Sequence, residues 1–329
     1  MLPMATQPWS LFEDKLRALD DSGLLVVGDV DYDRAAVDES LRASEPLLLA
    51  DASAQREVGR LRSSNAPTFV SLPGFRRELN LVDDLFQNQF TDLPARTLCG
   101  SNATESEFLR QAAHARILHV ITHGYFADPS VKSISQAEIR DDGLISDHKG
   151  PDQFINTYMP GLLSGLAMAG ANSPSTDSED PRDGILRASE IEASSLQGVD
   201  LVVLSACETG LGKAAGGEGL TGLQRAFQLA GARTVVASLW KVEDNSTTQL
   251  MKLFYTNLWE KKMSKLDALR EAQLSKLNHY DGEAGELRGS FTGKKQEIDP
   301  DKPAPKPART GKRLDPRYWA AFQLSGDWR

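Results

Sequence analysis

The chain has 329 residues, enough for one large domain or two modest ones around a sizeable buried core. Hydrophobic residues make up 40% and charged residues 25%, a soluble globular composition that excludes a disordered chain. Lys and Arg number 37 against 46 Asp and Glu, and the net charge of −9 argues against direct nucleic-acid binding, because counterion release needs clustered cations.

Two cysteines, Cys99 and Cys207, exclude a disulfide framework and are too few for a thiolate zinc site. The opening residues lack a basic segment followed by an apolar one, and no apolar run approaches the ~18 residues of a membrane span. A reduced, cytoplasmic chain without membrane association is the expectation.

Residues 1–22 read as an N-terminal leader with one amphipathic stretch, Leu11 to Leu19, ahead of a single domain over 23–329. Leu24-Leu-Val-Val27, closed by Gly28 and Asp29, predicts a buried strand and a turn. Ser71-Leu-Pro-Gly74 punctuates the chain, and Arg76 to Phe90 has helical spacing. Thr104 with Glu107 three residues on predicts a capped helix start.

Three more strands follow, each running into an unusual segment. Ile117 to Thr122 leads to His123-Gly124, Val199 to Ser205 to Ala206-Cys207-Glu208-Thr-Gly210, and Arg233 to Leu239 to Trp240-Lys-Val-Glu-Asp244. Helices are predicted over Gly219–Ala230, Ser246–Glu260 and Ser264–Asn278, and a last strand over Tyr318–Leu324. Apolar strands alternating with helices imply a parallel sheet covered on both faces, with chemistry at the carboxyl ends of the strands. Gly170–Asp183 and Asp281–Pro316 lack apolar periodicity and read as flexible insertions at about 170–183 and 281–316.

Cys207 follows a buried strand and precedes a Gly-rich loop. With an ordinary pKa of ~8.5 its thiol needs a neighbouring base to become a nucleophile. His123 is the side chain suited to that task, and Gly124 lets the backbone approach a substrate oxygen. The two can form a dyad if their strands are neighbours. Cys99 has no base or Gly-rich loop around it and reads as a buried structural thiol. His119 and His123 would stand ~13 Å apart on a strand, too far for shared metal ligation.

Ile117-Leu-His-Val-Ile-Thr-His-Gly124, Leu204-Ser-Ala-Cys-Glu-Thr-Gly210, Gly217-Glu-Gly-Leu-Thr-Gly-Leu-Gln-Arg-Ala-Phe227, Ala237-Ser-Leu-Trp-Lys-Val-Glu-Asp244 and the ending Tyr318-Trp-Ala-Ala-Phe-Gln-Leu324 together resemble the CHAT family of caspase-like peptidases. The resemblance runs from about Leu24 to the C-terminus. It implies a caspase-like three-layer α/β/α fold with a mainly parallel sheet, and a cysteine endopeptidase with His123 and Cys207 as its dyad. It places the oxyanion hole at the N–H groups of Gly124 and Cys207, and substrate contacts at Ser205, Ser238, Trp240 and Asp244. Ser205 is neutral where basic-specific relatives carry Asp, and Asp244 is otherwise a cap for the helix near Ser246. No metal or organic cofactor is implied. The expected partners are a protein or peptide substrate and a regulatory protein that activates the site.

Two other readings compete. Gly210-Leu-Gly-Lys-Ala-Ala215 fits a dinucleotide-binding pattern after a strand, but further glycines delay the helix and no acidic residue follows at the required distance. The second is a catalytically silent caspase-like interaction module in a signalling or defence complex. Its main obstacle is that both dyad positions hold competent residues.

Overall fold

Leu24 and Val26 face one way along the first strand and Leu25 and Val27 the other, yet all four are buried. A strand buried on both faces needs a covering layer on each, and that requirement sets the architecture. In the computed structural model the described residues are 23–34, 68–71, 73–126, 164–173, 183–205, 207–208, 218–240, 244–278 and 314–329. In chain order they form β1 (Leu24–Val30), α1 (Pro73–Gln89), β2 (Ala95–Gly100), α2 (Glu105–Ala112), β3 (Ile117–Val120), β4 (His123–Phe126), β5 (Ser164–Ala167), β6 (Ile185–Arg187) and α3 (Ala188–Ala193). There follow β7 (Leu201–Leu204), β8 (Cys207–Glu208), α4 (Glu218–Leu229), β9 (Thr234–Ser238), α5 (Asp244–Tyr255), α6 (Lys265–Asn278) and β10 (Phe322–Gly326).

The main sheet has the order β10-β9-β7-β3-β1-β2, parallel except for the β10–β9 edge pair. On one face Leu25, Val27, Leu118, Val120, Val202 and Leu204 pack against α2, α3 and α4. On the other, Leu24, Val26, Ile117, Leu201, Val203 and Val236 pack against α1, α5 and α6. The result is the α/β/α sandwich with a mainly parallel sheet. The four side chains of β7 are all fully buried, each contributing ~1.5–3 kcal/mol relative to exposure. The chain runs from β1 outward to β2, then crosses back to β3 on the other side of β1. That reversal makes the carboxyl ends of β1 and β3 a topological switch point, the place where open α/β sheets bind ligands.

A smaller sheet, β6-β5-β4-β8, stands at that end. Here the structure departs from the sequence expectation. The strand expected over Ile117–Thr122 stops at Val120, and His123 opens a new strand in the second sheet instead of ending the first. The step between them is fixed by Thr122, whose hydroxyl donates to the Ala167 carbonyl at 2.5 Å. Cys207 likewise belongs to a two-residue strand and not to a turn.

Other differences are local. The last strand lies at Phe322–Gly326, because Asp315 caps a short 3-10 turn over Pro316–Tyr318 ahead of it. Thr104 does cap α2, accepting from the Glu107 N–H at 3.3 Å, while the Glu107 carboxylate turns to Arg110 and Gln111. Cys99 is exposed on the edge strand β2, not buried, because only Leu98 of that strand is buried. Of the two insertions, residues 174–182 and 281–313 lie outside the described residues, as do residues 1–22. Asp183 and Leu314, at the far ends of those insertions, are buried.

Asp183 belongs to a buried charge cluster behind the second sheet. Arg187 Nη1 and Nη2 donate to its two oxygens at 3.0 and 2.7 Å, and the Arg187 N–H donates to Glu190 Oε2 at 2.7 Å. Glu105 Oε1 accepts from the Gly184 N–H at 2.6 Å, at a glycine with φ of +77° whose β-carbon would meet the Ala171 backbone. Burial, then repulsion from Glu190 and Asp183, raises the Glu105 carboxyl well above its ordinary range.

That direction sets a sign. The unfolded carboxyl ionises near ~4.3 and the folded one only at higher pH, so Glu105 withdraws stability as pH rises between the two. Glu105→Gln keeps the acceptor and removes the titration. Urea midpoints are expected to coincide for variant and wild type near about pH 4 and to favour the variant near about pH 7.5. Equal midpoints at the higher pH would contradict this account.

Candidate active site

His123 begins β4, and Cys207 begins β8. The two strands pair in parallel, with His123 opposite Cys207 and Gly124 opposite Glu208. Neighbouring strands lie ~4.8 Å apart, so the two sequence-predicted residues face each other across one ladder. The sequence separates them by more than eighty positions. The chain brings them together because β3 and β7 are neighbours in the main sheet, with Val120 opposite Leu204, and each strand continues into the second sheet by the same short step. Of Cys207 the backbone alone is described, and the glycine-rich residues 209–217 lie outside the described residues.

The His123 imidazole is held from several sides. Its Nε2 lies 2.8 Å from the Val70 carbonyl, which only accepts, so Nε2 carries the proton and donates. In the neutral ring the lone pair is therefore on Nδ1, which is buried. Tyr32, Phe69 and Phe75 surround the ring, with centroids at 5.3, 5.6 and 5.8 Å. Each comes from a different place: the turn after β1, residues 68–71 and the first turn of α1.

Tyr32 also fixes the backbone beneath. The Thr122 proton is committed to Ala167, so the Tyr32 hydroxyl donates to Thr122 Oγ1, at 2.9 Å. Tyr32 Oη accepts from the His123 main-chain N–H in turn. Burial pushes the Tyr32 phenol up to about 12, with the Thr122 and His123 bonds pulling the other way. The phenol is thus neutral, a donor throughout the physiological range.

The sequence carries no sign of these supports. A lone Tyr after Asp31 and a Val ahead of Ser71 carry no motif; only the fold brings them to the imidazole.

The remaining sequence-predicted residues are distributed along the carboxyl edge of the main sheet. Gly124 sits inside the second sheet, opposite Leu166 of β5 as well as Glu208. Ser205 is buried just beyond β7, its N–H donating to the Val120 carbonyl at 2.8 Å. Ser238 ends β9 and pairs with Phe322 of β10, and the Leu239 N–H continues that pairing to the Ala321 carbonyl at 2.7 Å. Trp240 is half-buried and donates its indole N–H to the Arg317 carbonyl at 3.2 Å. Asp244 is the first residue of α5.

His119 is elsewhere. It is fully buried in the main sheet, its Nε2 donating to Glu78 at 3.1 Å and its Nδ1 2.9 Å from the Tyr255 hydroxyl. Tyr255 is held well above the usual phenol range by burial, then by the Glu78 charge. This trio ties α1, β3 and α5 together inside the core and is remote from the imidazole of His123 in sheet position.

No helix among the described residues is long and apolar enough to cross a membrane. Comparison with curated proteins gave no match. A family model for the CHAT domain matches residues 8–327, nearly the whole chain. The motif segments, the α/β/α sandwich and this match agree, and the chain belongs to the CHAT domain family, which is related to the caspase-like cysteine peptidases.

Proposed function

We propose that this protein is a cysteine endopeptidase that cleaves a protein substrate through a dyad of Cys207 and His123. The observation that carries the reading is the register of β4 and β8, which sets the two residues directly opposite each other. The Val70 bond adds to it, since a base whose Nε2 is a committed donor presents Nδ1 as its proton acceptor.

In this reading Nδ1 of His123 takes the Cys207 thiol proton, and the thiolate attacks the scissile carbonyl carbon. The main-chain N–H groups of Gly124 and Cys207 receive the developing oxyanion. The C–N bond breaks as the imidazolium returns its proton to the leaving amine, leaving a thioester. Water, deprotonated by Nδ1, then hydrolyses the thioester and restores the thiol. No step needs a metal or an organic cofactor.

Ser205, Ser238, Trp240 and Asp244 are the substrate-facing residues. A neutral Ser205 disfavours a basic residue ahead of the cut. Ser238 contributes through its hydroxyl, because its main chain already pairs with β10. We assign activation to a regulatory protein partner.

The test is active-site labelling with a thiol-reactive peptidyl electrophile, the adduct being located by mass spectrometry. Cys99 is exposed, so it is the internal control for indiscriminate reaction. Modification of Cys207 in preference to Cys99, abolished by His123→Ala, is the expected result. Equal modification of both thiols, unchanged by His123→Ala and by candidate partners, would favour a silent interaction module instead. Retention of every biological activity by Cys207→Ala would point the same way.

A further inference from the structure

We propose that Asn172 is the positioning residue for His123, acting through the segment 68–71; this rests on the peptidase reading above. Among the described residues, 68–71 make no main-chain to main-chain hydrogen bond. One side-chain amide does that work. Asn172 Oδ1 accepts from the Phe69 N–H at 2.8 Å, and Asn172 Nδ2 donates to the Phe69 carbonyl at 2.8 Å. The planar amide thus pairs with the Phe69 peptide as a neighbouring strand would.

The same Nδ2 donates to Asp33 Oδ1 at 2.8 Å, and the Asn172 main-chain N–H donates to the Tyr32 carbonyl at 2.8 Å. One residue therefore ties 68–71 to the turn after β1. Both tied segments meet the imidazole. Phe69 and Tyr32 are two of its aromatic neighbours, and Val70, the next residue, supplies the carbonyl that Nε2 donates to.

The geometry asks for an acceptor and two donors on one short planar group, which asparagine alone provides at this length. Aspartate is close in shape but cannot donate, and would set one carboxylate against another at Asp33. Alanine removes all three side-chain bonds. Alanine frees Phe69 and Val70 outright, whereas aspartate keeps only the bond from the Phe69 N–H and repels both the Phe69 carbonyl and Asp33; in either case the imidazole loses its anchor at Nε2. A base displaced by about 1 Å costs on the order of 10²-fold in rate.

The test uses the full chain with ¹⁵N-labelled histidine. The Nε2-bound proton of His123, assigned by its absence in His123→Ala, is expected as a slowly exchanging resonance in the wild type. It is expected to be lost in Asn172→Ala and in Asn172→Asp, the near-isosteric variant guarding against misfolding of the first. Thermal unfolding confirms that each is folded.

The limiting rate of Cys207 alkylation should fall by about 10–100-fold with little change in the electrophile's half-saturating concentration, and its pH midpoint should move. A purely structural role would lower the unfolding temperature and leave the resonance and the pH midpoint in place. A resonance that persists in both folded variants overturns the inference whatever the labelling shows. Where Cys207 of the wild type is reactive, a resonance lost with no change in alkylation overturns it as well. Loss of the resonance supports the anchoring by Asn172 even in a chain whose Cys207 proves unreactive, and that second result would count against the peptidase reading alone.

Discussion

Cys207→Ala and His123→Ala are each expected to lower peptide hydrolysis by about 10⁴-fold or more, with the double variant scarcely worse than either single one. The reason is that in the proposed mechanism the two act as one unit. Without the base, the thiol at its ordinary pKa is only a few per cent thiolate near neutrality. Without the thiol, the base has no nucleophile to activate. Separate, multiplying losses would mean that the residues act independently and would break the dyad assignment.

Both variants should remain folded, His123→Ala with a lowered midpoint because the imidazole is buried among three aromatic rings. Removal of His123 leaves the Val70 carbonyl near a surface where water can reach it, since Val70 is 64% exposed. The measurement is initial-rate kinetics on a peptide library, with an activating partner present if the isolated chain is silent. An additive pair of losses, or a Cys207→Ala chain that still cleaves, would refute the mechanism.

The large pieces of the fold are legible because they obey one rule. β1, β3, β7 and β9 are short apolar runs, and such runs in a soluble chain are central parallel strands. β2 escapes that rule. Ala95-Arg-Thr-Leu-Cys-Gly100 lies at the sheet edge, where one buried leucine is enough, so it carries no apolar run. β5 and β6 are four and three residues long, too short for a period to register, and Gly165 is there because a β-carbon would strike the Leu186 carbonyl at 2.7 Å.

The positions of the proposed dyad are legible for a different reason: the chemistry proposed needs a base and a thiol at strand ends, and the flanking glycines mark them. Their mutual register is not. It depends on β3 lying beside β7 and on both strands breaking after equivalent residues, which is tertiary information. The imidazole's anchors are less legible still. Val70 acts through its backbone, which any residue offers, and Asn172 acts on that backbone from more than a hundred residues away.

The second large effect is expected behind the site. Arg187→Ala should destabilise the protein by ~3–5 kcal/mol, the cost of breaking a buried ion pair by removing one partner. Arg187 is fully buried among Asp183, Glu190 and Glu105. Burial alone would lower its pKa, but attraction to Asp183, a hydrogen bond to the same carboxylate and the two glutamates raise it instead. Removing it leaves three carboxylates with no cation in their midst.

They can relieve the repulsion by taking up protons, so the loss must depend on pH. In the variant the folded Glu105 and Glu190 carboxyls are raised further, while the unfolded ones stay near ~4. Its stability therefore falls as pH rises from the unfolded values toward the folded ones, and the deficit against wild type is greater near about pH 8 than near about pH 5.

Arg187→Lys keeps a charge but cannot reproduce the two-pronged bond to Asp183, and should fall between. Urea unfolding at both pH values separates the three chains. A deficit under about 1 kcal/mol, or one that does not change with pH, would show the cluster to be wetter than its burial implies. The same cluster holds Gly184 against Ala171, the residue before Asn172. Labelling of Cys207 in the Arg187 variants should therefore track the folded fraction, because the cluster supports the wall on which the imidazole's anchor is mounted and touches no reacting atom.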